Sequence, residues 1–388
     1  MERLSITLLA DDYPSKGRPV FVFVQQLVEE LVNQGVDVSV VAPQSLVRSL
    51  IRRIAILPTK MTYTTKCGKG YQVYRPYSLS FGNGHKLLYK FAHKFNQWQI
   101  NKVLERIKPS VLYGHFWHSA YKLSSYATKY HLPLFVACGE GDNALEDLVQ
   151  SLSEKEKNEL TSAVNGVISV SSENKRKCVD YELAVNDDIL VLPNSVDTGI
   201  FVKNDKRDVR GELGVTNDDF VIAFTGAFIH RKGSLRLSQA ITKLNDPYIK
   251  SIFIGARLDS DGDTPTCDGI VWKGRVEHDE VPQYLYAADC FCLPTLNEGC
   301  SNAIVEALAA GLPVISSNLP FNEDILNDGN SIKVDPMDVD QIANAIKLLK
   351  DNKELRKQLS EGALKMASDL RIDKRAASII RFIETRLK

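Results

Sequence analysis

The sequence predicts an α/β protein built from two Rossmann-like, doubly wound domains that face each other across a cleft. Short β-branched runs alternate with amphipathic stretches from one end of the chain to the other, the pattern of parallel strands joined by crossover helices. That alternation is interrupted and restarts around Pro193-Asn194-Ser195-Val196-Asp197. The 388 residues, 44% of them hydrophobic, are enough for two cores.

In the first half, residues 5–10, 36–42, 111–115, 134–138, 166–170 and 189–192 read as buried strands, since each is a short apolar run bounded by polar or turn residues. Residues 21–33, 118–130 and 173–181 read as helices between them. The second half repeats the scheme, with strands at 220–225, 249–255, 269–272, 290–294, 313–316 and 331–334 and helices at 234–245, 281–288, 302–310, 339–349 and 354–367. Domains are therefore expected at 1–193 and 194–372, with a final helix in 373–388 that could return to the first domain. Open α/β sheets bind ligands beyond the carboxyl ends of their strands, so polar groups at those ends are the candidates.

Net charge is zero, so the whole chain carries no polyelectrolyte signal. Between Asp37 and Glu105 there is no acidic residue, while Arg48, Arg52, Arg53 and a series of lysines fall in that span. Aromatic residues lie near some of those lysines, but no nucleic-acid motif accompanies them, and no nucleic-acid partner is expected. The seven cysteines are scattered without a C-x-x-C pair, which fits reduced thiols better than disulfides or zinc. No secretion signal and no run of eighteen apolar residues is evident, so a cytoplasmic protein is expected, free or at the inner face of the membrane.

The most informative segment runs from Asn297 to Ile315. Glu298 sits in a Gly-containing loop after an apolar strand, and Glu306 lies eight positions later inside the following Ala/Leu-rich helix. Ser301 or Asn302 is the N-cap and Gly311-Leu312-Pro313 the stop. A helix N-terminus under such a loop suits a phosphate, and carboxylates beside it suit sugar hydroxyls. A second phosphate-compatible turn is Thr225 to Ser234, where Lys232 stands at the start of another helix.

This segment resembles the family-four retaining glycosyltransferases of the GT-B fold (glycosyl transferases group one), whose signature is a Glu, seven residues and a second Glu in a strand-loop-helix setting. The resemblance extends to the Tyr13-Pro14-Ser15 loop, to Val191 through Asp197 with Phe201, and to Arg231-Lys232-Gly233. It implies that Glu298 touches the donor sugar near the reacting carbon and that Glu306 takes the ribose hydroxyls. Gly299 and the amides of Ser301, Asn302 and Ala303 would then serve the diphosphate. In the resembling enzymes a Gly-Arg and a Lys-Gly pair grip that diphosphate. Here Gly226 and Lys232-Gly233 match, Ala227 replaces the Arg, and Arg231 is the candidate substitute. Val276 falls where the family holds the nucleobase; Arg275 either adds a charge near the phosphates or is solvated. Gly17 is the small residue expected to approach the donor phosphates and the acceptor. Many relatives carry a donor-contacting His where this chain has Cys138 and Gly139, which leaves His115, Glu140 and Asp142 as strand-end polar groups for the cleft; for His115 a structural role is the alternative.

The resemblance implies a sugar transfer from a nucleoside-diphosphate sugar to a hydroxyl of a surface or lipid-linked glycan. No cofactor is expected, and no metal, because no D-x-D stands at a strand end. The other readings are a nucleotide-sugar epimerase (isomerase) or hydrolase on the same fold, and a non-catalytic binding protein. Residues 46–56 read as an amphipathic basic helix that lies on an anionic membrane, holds a lipid diphosphate, or packs on its own domain.

Overall fold

The computed structural model describes the chain apart from residues 1–2, 16–17, 19, 81–85, 142, 202–209, 258–261 and 388. It divides into two compact units: Met1–Val170, Asn174–Leu192 and Arg375–Lys388 form one, and Ser171–Glu173 with Pro193–Lys374 the other.

The sheet of the first unit has the spatial order Ile189–Val191, Val164–Ser169, Leu134–Cys138, Val111–His115, Ser5–Leu9, Asp37–Val41, Gly70–Tyr74, Lys60–Thr64. All neighbours are parallel except the last pair. Side chains alternate between faces, as the strand period requires. Ile6, Leu8, Val38, Val40, Tyr113 and Phe135 gather on one face; Leu9, Val41, Leu112, Leu134 and Val136 gather on the other. Helix Val22–Asn33 covers the first face with Val24, Leu27, Val28 and Leu31, and helix Ile372–Arg386 adds Ile379, Phe382 and Ile383. The Phe382 ring meets Phe135 at 6.1 Å. Helices Lys86–Ile107 and Trp117–Tyr130 cover the second face through Ile100, Leu104, Trp117 and Leu123.

Several elements of this unit are absent from the sequence reading, the helices Ala144–Ser151 and Glu154–Ala163 among them. Lys60–Thr64 and Gly70–Tyr74 form an antiparallel pair at the sheet edge, and Lys86–Ile107 is a long helix. The edge strand alternates exposed and half-buried residues and so has no continuous apolar run to announce it.

The second unit's sheet is all parallel, in the order Ile270–Gly274, Ile249–Ile254, Phe220–Thr225, Cys290–Leu293, Val314–Ser317, Ser331–Val334. Each of the six strands falls where apolar runs predict one. The helices Ser234–Leu244, Val281–Tyr286, Asn302–Ala309, Val339–Asp351 and Lys353–Asp369 complete the doubly wound pattern. Each sheet reverses its strand order once: next to Ser5–Leu9 in the first unit and between Phe220–Thr225 and Cys290–Leu293 in the second.

Candidate active site

The reversal in the second unit sets the carboxyl ends of Phe220–Thr225 and Cys290–Leu293 side by side, and the two loops beyond them build the site. In the first loop a short 3₁₀ turn, His230–Lys232, ends at Gly233 with φ +77°. A Cβ there would lie 2.4 Å from the Pro294 carbonyl oxygen, so only glycine permits this approach of the two loops. Buried Arg236 ties them together, donating from Nη1 to His230 O at 2.9 Å and from Nη2 to Pro294 O at 2.8 Å. Leu296 N also donates to Arg231 O at 2.8 Å.

The clamp brings Lys232 and Glu298 into contact. Lys232 Nζ lies 2.5 Å from Glu298 Oε1, and Thr295 Oγ1 donates to the same oxygen at 2.9 Å. Arg231 Nη1 stands 3.4 Å from it and donates to Asn297 O at 2.6 Å. The Lys232 and Glu298 side chains are 16% and 11% exposed, so their attraction is screened far less than that of a surface pair. Two cations and one carboxylate leave the loop pair with an excess positive charge.

Beyond Glu298, helix Asn302–Ala309 begins. Ser301 occupies the N-cap with extended backbone but makes no side-chain cap bond. Its buried Oγ and the Oδ1 of Asn302 have no partner among the described residues. An N-cap serine ordinarily accepts from an amide of the first turn; here those amides and both oxygens remain available to an anion or to hydroxyls. One turn on, Glu306 Oε1 is 3.1 Å from His278 Nε2, and the His278 ring meets Phe201 edge-on at 5.9 Å. Asn194 fixes the residue before the cap: its N donates to Cys300 Sγ at 3.4 Å and its Nδ2 to Cys300 O at 2.9 Å. Gly299 is buried, whereas Ala303, Gly226 and Ala227 are half-buried. After strand Ile270–Gly274, Arg275 is exposed and Val276 half-buried.

Thus the fold brings Lys232, Arg231 and Glu298 together and sets Glu306 on the adjoining helix. Sequence reasoning missed His278, Thr295 and Arg236. Their partners lie 28, 3 and 58 residues away, and nothing in the local spacing of His278 or Arg236 marks them.

The first-unit candidates are arranged differently. His115 ends its strand buried among Phe21, Phe23 and Phe116, whose rings lie 6.4, 5.6 and 4.4 Å away. Neither ring nitrogen has a partner among the described residues. Burial, then the nearby Arg375 charge, push its pKa down to about 3, against a smaller opposing pull from Asp11. Glu140 serves the backbone: Oε1 accepts from Trp117 N at 2.6 Å, at the start of helix Trp117–Tyr130, and Oε2 from Gly139 N at 2.9 Å. Burial raises its pKa. Gly17 and Asp142 lie outside the described residues. Among the described residues no three His, Cys, Asp or Glu side chains gather as a metal site would, and no helix is long and apolar enough to cross a membrane.

Residues 20–199 match the family model described as Glycosyltransferase Family 4, and residues 205–366 that of Glycosyl transferases group 1. The chain belongs to this glycosyltransferase family. TuaC of Bacillus subtilis, named for a glycosyltransferase step of teichuronic acid biosynthesis, is 25% identical to this glycosyltransferase over 362 residues, 88% of each chain. The Escherichia coli UDP-Gal:alpha-D-GlcNAc-diphosphoundecaprenol alpha-1,3-galactosyltransferase is 27% identical over 231 residues, 55% of this chain and 58% of that one. Among solved structures, the sucrose-phosphate synthase of Thermosynechococcus elongatus superposes with a TM-score of 0.77 at 16% identity, covering 99% of this chain and 100% of that one. That likeness establishes the GT-B fold.

Proposed function

We propose that this glycosyltransferase is retaining and metal-independent, and moves a sugar from a nucleoside-diphosphate sugar to a hydroxyl of a surface or lipid-linked glycan. The observation that carries the reading is the meeting of Lys232, Arg231 and Glu298 beside an N-cap whose oxygens are unpartnered among the described residues. Glu306 accepts the ribose hydroxyls, and Val276 lies by the base. As the bond from the anomeric carbon to the diphosphate oxygen breaks, its electron pair passes to the diphosphate. Lys232, Arg231 and the first-turn amides stabilise that growing charge. The acceptor oxygen bonds to the same carbon on the same face, and its proton passes to the departing phosphate. The names of the B. subtilis and E. coli relatives support a cell-surface glycan or lipid-linked acceptor. Peripheral contact with an anionic membrane belongs to the same reading, because Leu50 and Ile51 are 82% and 75% exposed on a helix that also carries Arg48.

A thermal-shift screen of nucleoside diphosphates identifies the base. Donor turnover is then followed with and without acceptor glycans, and the product anomer is read by NMR. Acceptor-dependent turnover giving the donor's own anomeric configuration is expected. Turnover without acceptor would mean a hydrolase or epimerase, binding without turnover a non-catalytic protein, and inversion would overturn the mechanism.

A further inference from the structure

A cavity of about 540 Å³ opens in the first unit at the carboxyl ends of three adjacent strands, Ser5–Leu9, Asp37–Val41 and Gly70–Tyr74. Four cationic side chains line it, Arg18, Arg48, Arg75 and Lys122, against two carboxylates, Asp11 and Asp12. Both carboxylates are already matched: Lys122 Nζ lies 2.6 Å from Asp11, and Arg18 pairs with Asp12. Burial pushes the Asp11 carboxyl up, but the charge and hydrogen bond of Lys122, with smaller pulls from His118 and His115, together hold it below the usual range. Arg48 and Arg75 make no ion pair among the described residues.

Arg75 is the more demanding of the two. It is 3% exposed, and its Nη2 reaches only neutral acceptors, Pro14 O at 3.1 Å and Tyr63 Oη at 3.0 Å, with Tyr13 O at 3.4 Å. Its Nη1 is buried with no partner among the described residues. A buried guanidinium with an unused donor and no counter-ion is costly unless an anion completes it. Arg48 reaches the same cavity from helix Leu46–Arg52, which Ser45 caps through the Arg48 amide at 3.2 Å. The same helix exposes Leu50 and Ile51, and Ile56 beyond it is 51% exposed. An anion-accepting cavity edged by uncovered aliphatic side chains matches a molecule with a phosphate head and a hydrocarbon tail.

We propose that this cavity holds the phosphate or diphosphate of a lipid-linked acceptor, Arg75 and Arg48 taking the anion while the hydrocarbon leaves over Leu50 and Ile51. The inference rests on the transferase reading only for calling the ligand an acceptor; the binding itself requires no catalysis.

The test is calorimetry with geranyl diphosphate and inorganic pyrophosphate, run in Arg231→Ala, Lys232→Ala protein so that the other unit's phosphate-binding loop lacks both its cations. Wild-type protein is titrated in parallel with nucleoside diphosphates, so a failed transferase reading shows up separately. Geranyl diphosphate should bind. Arg48→Ser, at an exposed position that should not disturb folding, should weaken both probes about tenfold, and Arg75→Gln at least as much. Leu50→Ser with Ile51→Ser should weaken geranyl diphosphate and leave pyrophosphate unchanged. Affinity for both probes indifferent to Arg48→Ser would overturn the proposal. So would Arg48-dependent pelleting with phosphatidylglycerol vesicles when neither soluble diphosphate binds, because the face would then be docking on bilayer headgroups.

Discussion

At the strand reversal of the second unit, charged groups meet one another: Lys232 and Arg231 converge on Glu298, and His278 holds Glu306. At the reversal of the first unit, His115 sits between aromatic rings with both nitrogens unpartnered among the described residues, and Glu140 is tied to backbone amides. Topology supplies a crevice in both places. Its chemistry depends on whether an ionisable group has a counter-charge. With one, as at Lys232, burial strengthens the pair; without one, as at His115, burial removes the charge.

Replacing Lys232 tests the charged side of this contrast most severely. Lys232→Ala should lower turnover by roughly 10²-fold or more, and donor affinity much less, because the leaving phosphate gains charge toward the transition state. Steady-state kinetics that separate kcat from KM check this. Arg231→Ala should lose less than Lys232→Ala; wild-type behaviour would end its role as substitute for the cation missing at Ala227.

The neutral side is tested by pH. The His115 pKa falls from its usual 6.5 to about 3 in the fold, so in the acid range the unfolded chain binds a proton that the native protein refuses. The stability His115 provides is therefore complete above pH 6.5 and is lost as pH falls toward 3. At about 1.4 kcal/mol per pH unit, some 2 kcal/mol should disappear from this group between pH 7.5 and 5. Denaturant unfolding of His115→Phe, whose new ring suits the surrounding phenylalanines, should show an acid slope shallower by that amount. Equal slopes would mean that native His115 takes up a proton as readily as the unfolded chain does.

Glu306→Ala should weaken nucleoside-diphosphate binding about tenfold, or ~1.4 kcal/mol. His278→Ala should weaken it less, since it only positions the carboxylate. Calorimetry ranks the two, and a larger loss for His278 would reverse their roles. Smallest of all, EDTA should leave turnover unchanged in a coupled assay; loss restored by manganese or magnesium would give the acidic groups a task that this comparison denies them.

The second unit was legible almost throughout because its central strands, Phe220–Thr225 and Cys290–Leu293, are buried on both faces and read as unbroken apolar runs. Glu298 and Glu306 were legible because both sit in one strand-loop-helix segment. What the sequence hid depends on distance in the chain or on exposure. The clamp by Arg236 and the pairing of His278 with Glu306 join residues brought close only by the fold. The edge strand Lys60–Thr64 keeps one face wet, and helix Lys86–Ile107 lacks acidic residues in its first turn and a clear apolar stripe. The cavity escaped notice for the same reason: Arg75 and Asp11 reach it from separate strand ends.

Helix Ile372–Arg386 packs Ile379, Phe382 and Ile383 into the core of the first unit, although residues 193–374 of the second unit separate it in the sequence from the rest of that core. During synthesis the sheet carrying Phe135 must therefore wait for this closing piece. At the usual pace of translation the delay is roughly ten to forty seconds. Throughout it, part of an apolar sheet face is bare, so the nascent first unit is a natural client for chaperones, while the second unit, contiguous but for three residues, can fold as it emerges.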